Sequence, residues 1–398
     1  MTQTNQPLNV ALIGQQFMGR AHSNAWSQVP HFFELPREPV MHTAAARNPQ
    51  DLARFARKWG WRNTTTDWRE LAANPEIDLV DIGTPNHLHA EQAIAMLEAG
   101  KHVACEKPLA GTLDDARAMQ QAASKARRRA RSFVWFNYRR CPAVAFAWKL
   151  MRAGRIGRVY HVRANYLQCW GGPETPLLWR FQKQDAGSGA HGDLNAHMVD
   201  LARFLLGEEI SEVHGAVART FIKERRLLEA PGESGRGAKR TTKRMGRSTV
   251  DDATLFLATF KSGAIASFEA SRVAAPRQNA SSIEINGELG SLRFDFEDMN
   301  LLHFSDASDA PGEGGWRRIM CTSAEHHPYA ANWWPEAHLL GYEHGFVNMA
   351  ADIVRAIAGE TPEVPLPDFA DAYETQRVLA AALVSARERC AVKLSQVK

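Results

Sequence analysis

Charge of one sign is in short supply in this chain. Its 398 residues hold 48 Lys and Arg against 44 Asp and Glu, a formal net charge of +4. So even a balance gives no reason to expect nucleic acid or a membrane surface as partner. Cysteine is scarce as well: Cys105, Cys141, Cys169, Cys321 and Cys390 are five scattered residues with no C-x-x-C pair. Neither a zinc ribbon nor a redox dithiol is indicated, and free thiols fit a reducing cytosol. No apolar run approaches the roughly 18 residues of a membrane span. The opening stretch, MTQTNQPLNVALIG, has no basic segment followed by an apolar one, so no secretory signal is expected and a cytoplasmic location is. What is present is an ordinary globular composition, 44% hydrophobic and 23% charged, on a chain long enough for two domains.

The N-terminal third alternates short apolar runs with helix-like stretches. Leu8–Ile13 (LNVALI) reads as a buried parallel strand, ends at Gly14, and is followed by a helical pattern over residues 17–27. The turn Gly14-Gln15-Gln16-Phe17-Met18-Gly19 is the G-x-G-x-x-G dinucleotide fingerprint with Gln16 in place of its middle glycine. The first glycine allows the tight turn and the last allows close helix–strand packing; the middle one normally lets a pyrophosphate reach the backbone. Gly14, Gln16, Phe17 and Met18 are therefore candidate cofactor contacts, although a bland strand–turn–helix stays open on this motif alone.

Further strands are expected at residues 40–46, 79–82, 102–105 and 132–136, with helices at 49–59, 89–99 and 113–125. This alternation predicts a doubly wound parallel sheet, and ligands of such sheets lie beyond the carboxyl ends of the strands. Gly14, Thr84, Pro85, Asn86, Glu106, Lys107, Asn137 and Tyr138 all fall there, with His89 just after. The acidic residue that would bind a ribose 2′-hydroxyl after the second strand is missing. Ala45, Ala46 and Arg47 take its place, which leaves the cofactor as NAD or NADP and leans to NADP. The plainer alternative is an Arg47 that stacks on adenine or is solvated.

Glu106-Lys107-Pro108 after a short strand, preceded by Thr84-Pro85-Asn86-His87-Leu88-His89, resembles the Gfo/Idh/MocA family, the glucose–fructose oxidoreductase and inositol dehydrogenase group. The resemblance continues through Asn137-Tyr138-Arg139-Arg140, Gly154-Arg155-Ile156-Gly157, the segment AGSGAHGDLNAHMVDLARFLLG, and the late pair Ile285-Asn286-Gly287-Glu288 and Gly290-Ser291. It is nearest to members that oxidise sugar or glycoside hydroxyls. It implies a dinucleotide-binding domain over 1–136 and a substrate-binding and oligomerisation domain over 137–398, built on a large, mostly antiparallel open sheet. It also implies a cis Pro108, a homodimer or homotetramer joined through the outer sheet face, and a C-terminal helix at 368–389 that returns to the first domain. The sequence agrees independently, with β-like runs at 159–168, 212–221, 254–260, 264–270, 282–285 and 291–294 separated by turn residues.

By that resemblance Lys107 and His197 are the catalytic pair, with Asp193 as their companion. Asp193 and His197 are four apart in a helix-like segment, a spacing that shares one face. Removing a hydroxyl proton as a hydride leaves carbon calls for a base that titrates near neutrality, which suits histidine. Lys107 would hold the hydroxyl oxygen and stabilise its developing charge, or act as the base itself. Alone, a D-x-x-x-H pair reads as well as an N-cap with a packed histidine, or as half of a metal site. No metal is expected, since no third ligand stands at a familiar spacing. Asn137, Tyr138, Arg139, Tyr166, Gln168, Arg180, His191, His338 and Tyr342 are further candidates for the substrate side, with Trp179 and Trp334 as aromatic platforms. His191 either touches substrate or fills the start of the helix. Gln168-Cys169-Trp170 departs from the Gln-Asp-Trp of similar members.

The leading reading is thus an NAD(P)-dependent oxidoreductase of a sugar, glycoside or cyclitol alcohol. A lyase, glycosidase or epimerase that keeps NAD bound would use the same residues, and a non-catalytic sensor would be expected to lose Lys107 or His197. The basic run at 125–131 reads as a solvated helix end, and residues 229–248 as an exposed loop.

Overall fold

A computed structural model describes residues 6–229 and 241–397, in two compact units. Unit 1 comprises Met1–Arg140 and Gly341–Tyr373; unit 2 comprises Cys141–Leu340 and Glu374–Lys398. The stretch from Gly341 to Tyr373, which the division at residue 137 assigned to the second domain, groups with the first.

Unit 1 is built on six parallel strands: β1 (Leu8–Ile13), β2 (Pro39–Ala45), β3 (Asn63–Thr65), β4 (Leu79–Ile82), β5 (His102–Cys105) and β6 (Ser132–Val134). Their order, β3-β2-β1-β4-β5-β6, reverses between β1 and β4, which is where a doubly wound sheet opens its ligand crevice. Leu8, Val10, Leu12, Leu79, Val80 and Ile82 are completely buried, as expected of strands covered on both faces. The first helix, Phe17–Phe32, runs five residues beyond the expected 17–27 and carries Pro30 inside it. Trp26 and Val29, both buried, hold that extra turn in the core.

Unit 2 contains β7 (Val159–Leu167), β8 (Ile210–Arg219), β9 (Glu224–Leu228), β10 (Thr241–Arg247), β11 (Ala253–Phe260), β12 (Ile265–Ser271), β13 (Ala280–Gly287), β14 (Gly290–Asp295), β15 (Leu301–Asp306), β16 (Arg317–Met320) and β17 (Val392–Lys393). All but β9 and β10 form one sheet, ordered β16-β15-β14-β13-β7-β12-β11-β8-β17. Only β7 and β12 pair in parallel; the other neighbours are antiparallel. Burial alternates along these strands. Val162, Ala164 and Tyr166, or Phe256, Ala258 and Phe260, point inward, while Leu255, Leu257 and Ile265 stand about half exposed on the other face (46%, 55% and 56%). A sheet with one packed face reads this way.

The expected loop at 229–248 needs correction. Thr241–Arg247 is a strand paired antiparallel to Glu224–Leu228, although its polar composition hides the pattern. Residues 230–240 lie outside the described residues.

Candidate active site

The chemistry-bearing segments of unit 1 follow strand ends that the ladder brings level. The Gly83 N–H donates to the Ile13 carbonyl at 2.9 Å, and the Glu106 N–H donates to the Ile82 carbonyl at 2.9 Å. Gly14, at φ +115°, would place a Cβ 2.7 Å from the Gly83 oxygen, and a Cβ on Gly19 would lie 2.2 Å from the Gly14 oxygen. Both outer glycines of the fingerprint are therefore required by packing. Gln16 is exposed, so its side chain leaves the turn clear. It also makes no capping bond to the helix it begins, and the first turn of that helix has no acidic residue. A 16-residue helix whose first N–H groups have no side-chain cap fits the pyrophosphate of a dinucleotide.

The other cofactor candidates spread over this rim. Phe17 is 46% exposed, and its ring lies against Tyr342 at 6.4 Å. Met18 flanks Gly83, and Arg47 is exposed in the turn after β2. Thr84 Oγ1 donates to Gln92 Oε1 at 2.7 Å. Pro85 precedes, and Asn86 opens, the short 3-10 turn Asn86–Leu88. Lys107 follows β5, and its peptide bond to Pro108 is cis.

His89, expected among the cofactor contacts, is fully buried. Its Nε2 lies 2.9 Å from the Thr84 carbonyl, and its Nδ1 lies 3.1 Å from that of Pro108 and 3.3 Å from that of Leu109. Burial lowers its pKa against the pull of those carbonyls and of Glu106. Its polar atoms serve the protein, tying the Thr84 loop to the segment after Lys107.

Asn137, Tyr138 and Arg139 lie in a buried 3-10 turn, Asn137–Arg140, rather than at a strand end. Arg139 pairs with Asp371 at 2.6 Å. Tyr342 begins the helix Tyr342–Ile357 and sits edge-on to Phe346. Behind Glu106, unit 1 holds two residues that the sequence reading missed, His22 and Asp81. The available signal was a lone carboxylate in the apolar strand LVDI, since a buried charge needs partners.

In unit 2 the candidates form a connected set. Tyr166 donates from its hydroxyl to Asn279 Oδ1 at 2.9 Å, Gln168 Nε2 donates to the same oxygen at 2.5 Å, and Trp170 Nε1 donates to Gln168 Oε1 at 2.5 Å. Arg272 lies over the Trp170 ring at 5.1 Å and donates to Asp193 Oδ2 at 2.9 Å and to the Arg180 carbonyl at 3.0 Å. The Arg180 guanidinium covers Trp179 at 4.4 Å, and the His197 and Tyr166 rings are 5.8 Å apart. Asn279 and Arg272 were not anticipated; they come from the strand ends of β13 and β12, which no local motif marks.

Three expectations change here. His191–Asn195 is a π-helical turn, and the α-helix Ala196–Leu206 starts only after it. The i,i+4 spacing of a regular helix therefore does not set the relation of Asp193 to His197. His191 is fully buried. It donates from Nε2 to the Leu379 carbonyl at 2.9 Å, and its Nδ1 takes the Asn195 amide at 3.2 Å. It fills the start of the helix and has no polar atom left for a substrate. His338 is exposed, its Nδ1 on the Pro335 carbonyl at 2.9 Å.

Comparison with known proteins matches the chain in two parts. A family model for an NAD-binding Rossmann fold of the oxidoreductase family matches residues 8–133, and one for the GFO/IDH/MocA C-terminal domain matches residues 144–293. Levoglucosan dehydrogenase of Pseudarthrobacter phenanthrenivorans is 43% identical over 98% of this chain and 99% of its own. The crystal structure of an oxidoreductase domain protein from Kribbella flavida matches with a TM-score of 0.90 at 51% identity, covering 98% of this chain and 99% of that one. A levoglucosan dehydrogenase in complex with NADH and levoglucosan matches with a TM-score of 0.89 at 42% identity, covering 98% of this chain and 100% of that one. A glycine turn under an uncapped helix, a lysine two strands away along the same sheet edge and relatives that align from end to end all lead to one conclusion: the chain belongs to the Gfo/Idh/MocA family of NAD-binding oxidoreductases.

Proposed function

We propose that the protein is a dehydrogenase that oxidises a secondary alcohol of a sugar, glycoside or cyclitol. The observation that carries this is the position of Lys107. It follows β5 in the same rim as the Gly14 turn and the Thr84 loop, where a dinucleotide's reactive end meets protein side chains. The bound nicotinamide supplies the hydride acceptor. Lys107 holds the hydroxyl oxygen and stabilises the charge that develops on it, while His197 takes the proton. Asp193, oriented by Arg272, directs the substrate or the histidine. Tyr166, Gln168 and Arg180 line the substrate side, and Trp170 and Trp179 offer aromatic faces for a pyranose.

The levoglucosan dehydrogenase at 43% identity supports a sugar as substrate. Cys169, beside Gln168, separates this chain from the Gln-Asp-Trp pattern and makes a different sugar the better candidate. Arg47 supports use of NADP beside NAD. The apolar residues Val217, Leu255, Leu257 and Ile265 on the open face of the large sheet support a homo-oligomer. All five cysteines are free thiols and no described helix is long and apolar enough to cross a membrane; the free thiols favour the cytoplasm.

The test is a cofactor-reduction screen. Protein, NAD or NADP and a panel of monosaccharides, anhydrosugars, glycosides and inositols are mixed, and the near-ultraviolet absorbance of reduced nicotinamide is followed. Growth with one class names substrate and cofactor together. Product formed without net reduction would replace this reading with a redox-cycling lyase, glycosidase or epimerase.

A further inference from the structure

Beneath the Glu106–Lys107 segment, unit 1 encloses a charged cluster that the reaction above does not use. His22 stands on the helix Phe17–Phe32 and is fully buried, as are Asp81 and Trp135; Glu106 is 4% exposed. His22 Nδ1 lies 2.9 Å from Asp81 Oδ1, and Nε2 lies 3.1 Å from Glu106 Oε1. The ring is therefore clamped between two carboxylates from the ends of β4 and β5. Trp135 Nε1 donates to Asp81 Oδ1 at 2.9 Å and Trp26 Nε1 donates to Asp81 Oδ2 at 2.7 Å. The second oxygen of Glu106, Oε2, accepts the backbone N–H of Lys107 at 3.2 Å. Trp135 stacks on the His22 ring at 4.4 Å and 28°, and Phe346 lies 5.6 Å away.

We infer that His22 is a positioning residue for Lys107: it bridges Asp81 to Glu106, and through Glu106 it fixes the backbone from which Lys107 projects. The inference rests on the role proposed above for Lys107.

Two ionised carboxylates accept and do not donate, so the ring satisfies both only with a proton on each nitrogen. A neutral ring would leave one nitrogen lone pair against a buried carboxylate, or force a proton onto Glu106. Asp81 is pinned by two indoles; among the described residues the Glu106 carboxylate takes its hydrogen bonds from the ring and the Lys107 N–H. Removing the imidazolium therefore acts on Glu106 first, and on the turn that it braces. The electrostatics agree. Burial pulls His22 down, but the charge and hydrogen bond of Asp81, and then those of Glu106, outweigh it and raise the pKa to about 9. Two further titratable groups feel these carboxylates: Cys105, whose thiol burial and these same charges push far up, and His89, whose pKa burial lowers against the charge of Glu106; the rings of Trp135 and Phe346 lie against His22.

The test compares full-length wild type with His22→Gln, whose single amide nitrogen cannot donate to carboxylates on opposite sides. Four quantities are read: kcat, sugar KM, the NADH dissociation constant, and the pH profile of Lys107 acetylation by peptide mass spectrometry without sugar. We expect kcat to fall on the order of 10- to 100-fold, the cost of a misplaced catalytic group, with NADH affinity within about twofold. The Lys107 profile of the wild type should bend near pH 9, where His22 loses its proton, and that bend should vanish in the variant. An unchanged kcat together with an unchanged Lys107 profile overturns the inference. Should His22→Gln fail to fold, Asp81→Asn replaces it. That variant keeps one oxygen to accept from the Trp135 indole and the ring, gives up the acceptor of the Trp26 indole and removes a charge, so the bend must move to lower pH, and a bend that stays in place overturns the inference equally. Loss of the bend in a protein that oxidises no sugar would retire the proposed reaction and leave the positioning role standing.

Discussion

His22 in unit 1 and His191 in unit 2 are both fully buried, yet their surroundings select different charge states. His22 faces two carboxylates and is held as a cation, its pKa raised to about 9. His191 faces a backbone carbonyl and an asparagine amide, one acceptor and one donor, which suits a neutral ring. Burial lowers its pKa, and the more distant charge of Asp251 and the Leu379 carbonyl only oppose that. The difference teaches that burial alone does not set a histidine's state; the charge of the acceptors does, since His89, buried among carbonyl oxygens on both nitrogens, is lowered where His22, between two carboxylates, is raised. Unit 1 keeps buried charge next to its lysine; in unit 2 the fully buried pair is Arg225 with Asp252, and the candidate Asp193 pairs with Arg272 at a partly open place, its side chain being 17% exposed.

The strongest way to break this contrast is to remove the lysine that unit 1 braces. Lys107→Ala should lower kcat/KM by about 10³-fold or more while dinucleotide binding, measured by NADH fluorescence, stays within about twofold. Substantial activity would take Lys107, and with it the purpose of the cluster, out of the mechanism. Next in size is the ion pair of unit 2. Arg272→Met removes the guanidinium that donates to Asp193 and to the Arg180 carbonyl, which should cost about 2–4 kcal/mol in denaturant unfolding and raise the sugar KM more than it changes kcat. A lower kcat at constant KM would make Asp193 part of the chemical step instead of the substrate's orientation.

The two histidines predict opposite slopes of stability with pH. The folded pKa of His22 is raised, so its contribution is complete below the unfolded value, near 6.5, and is lost as pH rises toward about 9. The folded pKa of His191 is lowered, so the unfolded chain binds the extra proton below about pH 6.5 and stability falls there as pH drops. Thermal melts of His22→Gln should flatten the alkaline limb only, and those of His191→Gln the acid limb only. Equal changes in both limbs would mean that neither ring has the charge assigned to it.

What was legible in the sequence follows the same division. The Gly14–Gly19 turn, the Thr84 loop and Glu106-Lys107-Pro108 are contiguous motifs at strand ends, so their positions in unit 1 are readable from spacing. The alternation in β7, β11 and β12 made the large sheet readable too. The partners of the candidate residues were not. Asn279 and Arg272 reach Gln168 and Asp193 from strands far along the chain, and Asp81 meets His22 across 59 residues. Pairings made only by the sheet order leave no local pattern. β10 was missed because Thr241–Arg247 is almost wholly polar, and the π-turn at His191–Asn195 because its composition is that of a helix.

The smallest effect is expected at Arg47, where the fold leaves a choice open. The cluster around His22 is closed and charge-matched. Arg47, by contrast, is exposed after β2, at the place where a doubly wound fold meets the adenosine ribose, and no carboxylate stands beside it in Ala45-Ala46-Arg47. A 2′-phosphate there gains a charge-assisted contact worth about 1–2 kcal/mol after solvent screening, whereas a 2′-hydroxyl gains little. Arg47→Ala should therefore raise the KM for NADP about tenfold and that for NAD less than about twofold, and the NADP effect should shrink as salt is added. Equal losses with both cofactors would make Arg47 an adenine-stacking residue and remove the argument for NADP, with the NAD-binding frame of Gly14, Gly19 and the uncapped helix unaffected.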